Sequence, residues 1–258
     1  MDLDIVGLIP AGGVARRLGK LPCSKEILPY REASGRVSVL SANLLHYFSL
    51  AGIHKALFII RKGKWDIPEY FGDGRQLGID LGYLITGQNN GTPYTLNQAC
   101  AFVSDRIVAL GFPDIILEPE NAFAELKQKF MTGHSDIIMG VVPSKDYLKS
   151  DMIGFDDSGK IREIVIKQNR PDLKYSWFAA LWRPTFTIFM HNYLEQLTQS
   201  GSQGKISQPD GLHREVFVGD VILAALRSGL RVDHHIFTEG YYRDLGTWDE
   251  FHKLSGEG

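Results

Sequence analysis

Three short runs in the first half of the chain are apolar without alternation. They are residues 5–9 (Ile-Val-Gly-Leu-Ile), 56–60 (Ala-Leu-Phe-Ile-Ile) and 107–110 (Ile-Val-Ala-Leu). A strand with one face in water alternates apolar and polar residues; one that does not alternate is covered on both faces. Between the first two runs, Val39, Leu40, Leu44, Leu45 and Phe48 recur at helical spacing across residues 37–50 before Gly52. Strand and helix in alternation argue for a parallel sheet with right-handed crossovers, and so for an α/β fold.

The rest of the chain fills in that frame. Residues 79–86 predict a third strand, 94–103 a helix, 107–114 the central strand ending in an acid, 119–130 a helix and 136–142 a further strand. From residue 151 the style changes. Asp156-Asp157-Ser158-Gly159 supplies turn chemistry for a hairpin between short strands. Residues 177–182 predict a strand, 184–197 a helix, 200–211 a polar loop, 218–226 a helix and 232–237 a strand.

Composition narrows the function classes. Lys and Arg number 28 against 30 Asp and Glu, a formal net charge of −2. No global basic field argues for nucleic acid or a membrane surface. Two cysteines, Cys23 and Cys100, make neither a disulfide framework nor a metal quartet, and with no long apolar run or leader-like start they predict a cytoplasmic protein. His134, His213, His234 and His235 have no zinc-like spacing.

Chemistry gathers where the first strand ends, in Pro10-Ala11-Gly12-Gly13-Val14-Ala15-Arg16-Arg17-Leu18-Gly19-Lys20, followed by Pro22-Cys23-Ser24-Lys25. Ligands of open α/β sheets bind at the carboxyl ends of the strands. Small residues let the backbone approach a phosphate chain with its N–H groups, and Arg16, Arg17, Lys20 and Lys25 bring cations there. The alternative is a plain Gly-Gly turn, since neither the Walker nor the dinucleotide spacing is present. A second loop, Thr86-Gly87-Gln88-Asn89-Asn90-Gly91-Thr92, stands between a strand and a helix. An amide there can pair with a base edge, or Thr92 can simply cap the helix. Asp114 follows the central strand and could hold Mg²⁺ against a triphosphate, or merely begin a turn.

The first loop resembles the signature of the sugar nucleotidylyltransferases, the relatives of glucose-1-phosphate thymidylyltransferase: Gly-Gly-x-Gly-Thr/Ser-Arg-Leu/Met, a spacer, then Pro and Lys. Gly12, Gly13, Arg17, Leu18 and Lys25 fall on that pattern; Ala15 stands for its third glycine, Arg16 for its Thr or Ser, and Cys23-Ser24 intervene before the lysine. The likeness extends to residue 251. It implies a three-layer α/β/α sandwich with a mainly parallel mixed sheet, Rossmann-like and GT-A-like. Residues 1–258 are then expected to form a single domain, with a nucleotide-binding half over 1–145 and a sugar-binding half over 146–258. By the same resemblance Ala11, Gly12, Gly13, Arg16, Gln88, Gly91 and Thr92 meet the nucleotide, and Arg17 and Lys25 are catalytic. Lys167 meets the sugar phosphate, although Ile166 stands where relatives carry a glutamate that binds a sugar hydroxyl. Asp114 and Asp244, the latter in Tyr242-Arg243-Asp244-Leu245-Gly246-Thr247, hold Mg²⁺. The implied reaction joins an NTP, dTTP or UTP foremost, to a sugar 1-phosphate, with a homo-oligomer left open. A cytidylyltransferase of the same fold, a catalytically silent nucleotide-sugar regulator and a glycosyltransferase are the alternatives. The chain lacks the hexapeptide repeats of a left-handed β-helix, so no appended acyltransferase domain is expected.

Overall fold

In a computed structural model residues 4–32, 35–87, 90–200, 205–207 and 213–254 are described. The strands are β1 (Ile5–Ala11), β2 (Pro29–Arg31), β3 (Val37–Val39), β4 (Lys55–Arg61), β5 (Asp80–Thr86), β6 (Ile107–Leu110), β7 (Ile115–Glu118), β8 (Ile137–Pro143), β9 (Asp151–Phe155), β10 (Ile161–Ile166), β11 (Tyr175–Trp182), β12 (Ile206–Ser207), β13 (His213–Arg214), β14 (Val232–Ile236) and β15 (Tyr241–Asp244). The helices are α1 (Leu40–Leu50), α2 (Asp66–Phe71), α3 (Thr92–Asn97), α4 (Cys100–Val103), α5 (Ala122–Thr132), α6 (Pro184–Gln199), α7 (Val218–Arg227) and α8 (Trp248–Leu254).

The apolar runs become the middle of a mixed sheet. β5, β4, β1 and β6 lie side by side and parallel, with Ile9 opposite Phe58 and Val6 opposite Val108. Next comes β11, antiparallel to β6, then β8, antiparallel to β11, and β14, parallel to β8. The β9–β10 hairpin joins the same sheet through the start of β11. Both faces are covered, as non-alternating strands require. One core packs Phe48, Phe58, Phe71, Phe123 and Phe130 beneath α1, α2 and α5; the other packs Leu8, Trp182, Phe186, Met190 and Ile222 beneath α3, α6 and α7. This is the expected three-layer α/β arrangement with a mainly parallel sheet.

Local boundaries differ where tertiary pairing overrides the local pattern. Residues 37–39 are not the first turn of a helix. They form β3, antiparallel to Pro29–Arg31, because Val37 and Val39 alternate about Ser38, and α1 begins at Leu40. The helix expected over 94–103 starts earlier, at Thr92, and breaks between α3 and α4, where Gln98 and Ala99 donate to the carbonyls three residues back. The central strand ends at Leu110, and Asp114 rides on a turn before the unforeseen β7, whose partner is β15. Of the polar loop, Ile206 and Ser207 pair with Arg214 and His213. No helix among the described residues is long and apolar enough to cross a membrane.

Candidate active site

β1, β4, β5 and β6 run in one direction, so their carboxyl ends share one edge of the sheet. The first loop leaves β1 there. Ala11 is still buried in the strand; Gly13 is exposed, and a side chain on it would meet nothing within 4 Å, so its backbone faces open space. Ala15 sits in the left-handed region (φ 51°, ψ 37°). That is the conformation a glycine adopts at least cost, so the loop keeps this turn with alanine in it. A one-turn 3-10 helix at Arg16–Leu18 then points Leu18 into a small core with Leu28, Tyr30, Leu40, Leu245 and Phe251, leaving Arg16 and Arg17 exposed. The loop is tied to the end of the chain as well, for Trp248 Nε1–H donates to the Leu18 carbonyl at 3.0 Å.

Lys25 opens a second 3-10 turn, Lys25–Ile27, fixed by two anchors. Ser24 donates its backbone N–H (2.6 Å) and its hydroxyl (2.7 Å) to Asp66 on α2. The Glu26 carboxylate takes two bonds from Lys64 Nζ, at 2.6 and 2.7 Å, with both side chains 6 % exposed. Burial pushes the Glu26 carboxyl up, opposed mainly by the charge of Lys64. So held, Lys25 pairs with Asp114.

Asp114 and Asp244 come from distant parts of the chain. Antiparallel pairing of β7 with β15 sets Asp244 opposite Ile115, and Leu245 N–H donates to the Asp114 carbonyl at 3.0 Å. Arg17 Nη2 lies 3.7 Å from Asp244 Oδ2. Gly246 makes room for this approach, because a Cβ there would collide with the Arg17 guanidinium. Oδ1 of Asp244 is closed off from water with no hydrogen-bond partner among the described residues, although the rest of that side chain is open. Burial first, and the neighbouring Asp114 second, push the Asp244 carboxyl up, while Lys25 and Arg17 pull it down. Two carboxylates with an unsatisfied oxygen suit a hard divalent cation, which takes few protein ligands and completes its shell with water and phosphate oxygens. The donor set present fits Mg²⁺.

Gly91 has φ 118° and lies so close to the Val216 carbonyl that a side chain would clash; it precedes α3, where Thr92 is the first helical residue and not its cap. Gln88 lies outside the described residues. Lys167 follows β10 with φ 48°, its ammonium 4.0 Å from the centre of the Phe217 ring. Arg16 is exposed on the first loop. Burial, and then the charges of Asp66 and Glu26, push the Cys23 thiol up, the direction that disfavours its thiolate.

Some site residues escaped the sequence reading. A cavity of about 320 Å³ runs beneath the first loop and is lined by Gly13, Ser24 and Lys25 together with Arg61, Lys64 and Asp66. Arg61 closes β4, and its buried Nε has no partner among the described residues. The readable signal was Arg61-Lys62-Gly63-Lys64, a second cationic run at the carboxyl end of a buried strand.

A family model described as nucleotidyl transferase matches residues 6–257. The chain belongs to the nucleotidyl transferase family. Among curated relatives, this nucleotidyl transferase is 23 % identical over 247 residues to the low-salt glycan biosynthesis nucleotidyltransferase Agl11 of Haloferax volcanii; the match covers 93 % of the chain but only 62 % of that relative's length. Among solved structures it resembles a protein assigned as a glucose-1-phosphate thymidylyltransferase from Bacillus anthracis, solved with sucrose. The TM-score is 0.81 at 17 % identity, covering 98 % of this chain and 94 % of the other. It also resembles a UDP-glucose pyrophosphorylase complexed with UDP-glucose, with TM-score 0.75 at 15 % identity and 97 % of each chain covered. These likenesses place the nucleotidyl transferase fold around the residues just described.

Proposed function

We propose that this chain transfers a nucleotidyl group from a nucleoside triphosphate, dTTP or UTP, to a sugar 1-phosphate, giving an NDP-sugar and pyrophosphate. The observation that carries the reading is the convergence of two cation–carboxylate pairs, Lys25 with Asp114 and Arg17 with Asp244, at the mouth of the glycine loop. The thymidylyltransferase and UDP-glucose pyrophosphorylase likenesses favour these two bases, and the glycan-pathway relative favours a sugar acceptor.

The chemistry asks for alignment and charge control. An oxygen of the sugar phosphate attacks the α-phosphorus, the bond from that phosphorus to the bridging α–β oxygen breaks, and pyrophosphate leaves with the electron pair. The nucleophile is already an anion, so no strong general base is required. Backbone N–H groups of Ala11, Gly12 and Gly13 receive the triphosphate, with Arg16 and Arg17 on the pyrophosphate. Gln88, Gly91 and Thr92 meet the base. Lys167 takes the sugar phosphate, and Lys25 bridges it to the α-phosphate, holding nucleophile and electrophile in line. Asp114 and Asp244 would hold Mg²⁺, which when bound neutralises charge on the phosphate oxygens.

Pyrophosphate release, followed across dTTP, UTP, CTP, ATP and GTP against a panel of sugar 1-phosphates, tests the reading. Turnover with dTTP or UTP is expected, and Lys25→Ala should lower kcat by about 10²–10³. No turnover with any pair, together with a rise in melting temperature on adding an NDP-sugar, would replace the enzyme reading with a regulatory one.

A further inference from the structure

Position 166 carries an isoleucine, so the end of β10 contributes no carboxylate. The sheet supplies one beside it. In the antiparallel β9–β10 ladder Ile166 pairs with Asp151, and residues directly opposite in such a ladder project from the same face. On the other side of β9, Tyr175 pairs with Ile153 and Ser176 with Met152; Trp177, the next residue of β11, lies near enough to bear on the Asp151 carboxyl. Ile166, Asp151 and Trp177 thus come together from three neighbouring strands, and this row lies at one end of them. A Cβ on Gly219, in the first turn of α7, would lie 2.9 Å from Asp151 Oδ2, so the row packs beneath that turn.

The indole of this row is left unsatisfied. Trp177 Nε1 is buried without a well-formed bond to an acceptor among the described residues, in a residue only 7 % exposed. The indole N–H is close enough to the Asp151 carboxyl to lower its proton affinity. Lys167 also bears on that carboxyl, as does the Arg214–Asp220 pair, which is joined by two bonds of 2.6 Å.

The row is physically connected to the proposed nucleotide and metal residues. Phe112, two positions before Asp114, meets the Trp177 ring edge to face at 5.7 Å. Ser150 and Ser176 both bond the Tyr242 hydroxyl, at 2.8 and 3.3 Å, two residues before Asp244. Gly91 presses on Val216, next to the Phe217 ring on which Lys167 rests. A carboxylate that only accepts and an indole N–H that only donates, side by side next to a cation, match neighbouring hydroxyls that each donate and accept, on a molecule that is also an anion.

We propose that Asp151, across the ladder from the apolar Ile166, is the specificity-determining carboxylate that accepts a hydroxyl of the sugar 1-phosphate, with Trp177 Nε1–H as its companion donor. The inference rests on the transferase reading above and names the residues that read the sugar.

Steady-state kinetics decide it, beginning with the substrate pair on which the wild type turns over. Asp151→Asn is expected to raise the KM for the sugar 1-phosphate about 10- to 100-fold while that for the NTP stays within about twofold. Among monodeoxy analogues of the sugar, the one lacking the hydroxyl that Asp151 accepts should handicap the wild type by a similar factor and add nothing to the defect of the variant. Should Asp151→Asn fail to fold, Trp177→Phe keeps the ring against Phe112 and removes only the donor; its sugar KM should rise about 5- to 20-fold. An active wild type whose sugar KM does not move in either variant overturns this inference alone. So does a defect that is equal for every deoxy analogue, which marks a merely structural residue. A wild type inert on every pair removes the transferase reading, and this inference with it.

Discussion

Gly246 shows how one missing methyl group shapes the candidate site. Its Cβ would displace the Arg17 guanidinium from beside Asp244. The same Cβ would lie 2.9 Å from Asp244 Oδ1; all the obstructed atoms are side-chain ends, so Gly246→Ala should fold with Arg17 pushed aside and the Asp244 carboxylate turned. We expect kcat for pyrophosphate release to fall about 10- to 100-fold, with a urea midpoint close to the wild type. Asp151 makes the complementary point about a charge held out of water. Burial pushes its carboxyl from its ordinary 3.8 up to about 6; Lys167, the Trp177 indole and Arg214 oppose the shift and Asp220 adds to it. Between about pH 4 and 6 the folded chain holds this proton more tightly than the unfolded chain does. Stability on this account is therefore highest below pH 4, falls as pH rises through the window, and carries the full cost above pH 6. Without substrate, the gain in stability of Asp151→Asn over the wild type should be about 1–3 kcal/mol larger at pH 7 than at pH 4, measured by urea titration of both proteins at both pH values. The side chain proposed to read the sugar is then one the empty protein would be more stable without.

At the level of elements, the short turn Lys25–Ile27 is held by charges that never reach solvent. Glu26 and Lys64 are mutually buried, and removing one partner strands the other ion in a low-dielectric interior. Glu26→Gln should cost about 3–5 kcal/mol, read as a lowered urea midpoint, and replacing both residues by apolar ones of similar volume should recover most of it. Lys25 itself was legible in the sequence, because a Pro and a Lys after a glycine-rich loop form a compact local pattern. Its support was not legible. Glu26 and Lys64 are 38 residues apart, and nothing local tells a buried ion pair from two solvated side chains. The same holds for Arg61, which reads as an ordinary surface cation until β4 is seen to end under the first loop. The apolar spacing of residues 37–50 concealed β3 because Val39 serves a helical pattern and a β alternation equally well.

For the molecule as a whole, the class of fold was readable because strands covered on both faces cannot alternate, and residues 5–9, 56–60 and 107–110 do not. Strand order was not readable. The insertion of β11 against the direction of its neighbours, and the pairing of β7 with β15, join segments about seventy and more than a hundred residues apart in sequence. The two ends of the candidate site stood out as motifs, whereas Asp151 gained meaning only from a cross-strand register. That topology also bears on how the protein comes into being. Asp114 is in place once the first half of the sheet has formed, but Asp244 arrives on one of the last strands and is secured by Phe251 and Trp248 against the first loop. Because a chain is made and folds from its amino end, the ribosome must have read past residue 251 before the second carboxylate can dock. Until then the nascent protein holds its glycine loop and its lysine without the pair of acids, so the two carboxylates proposed to hold Mg²⁺ come together only when synthesis of the region is complete.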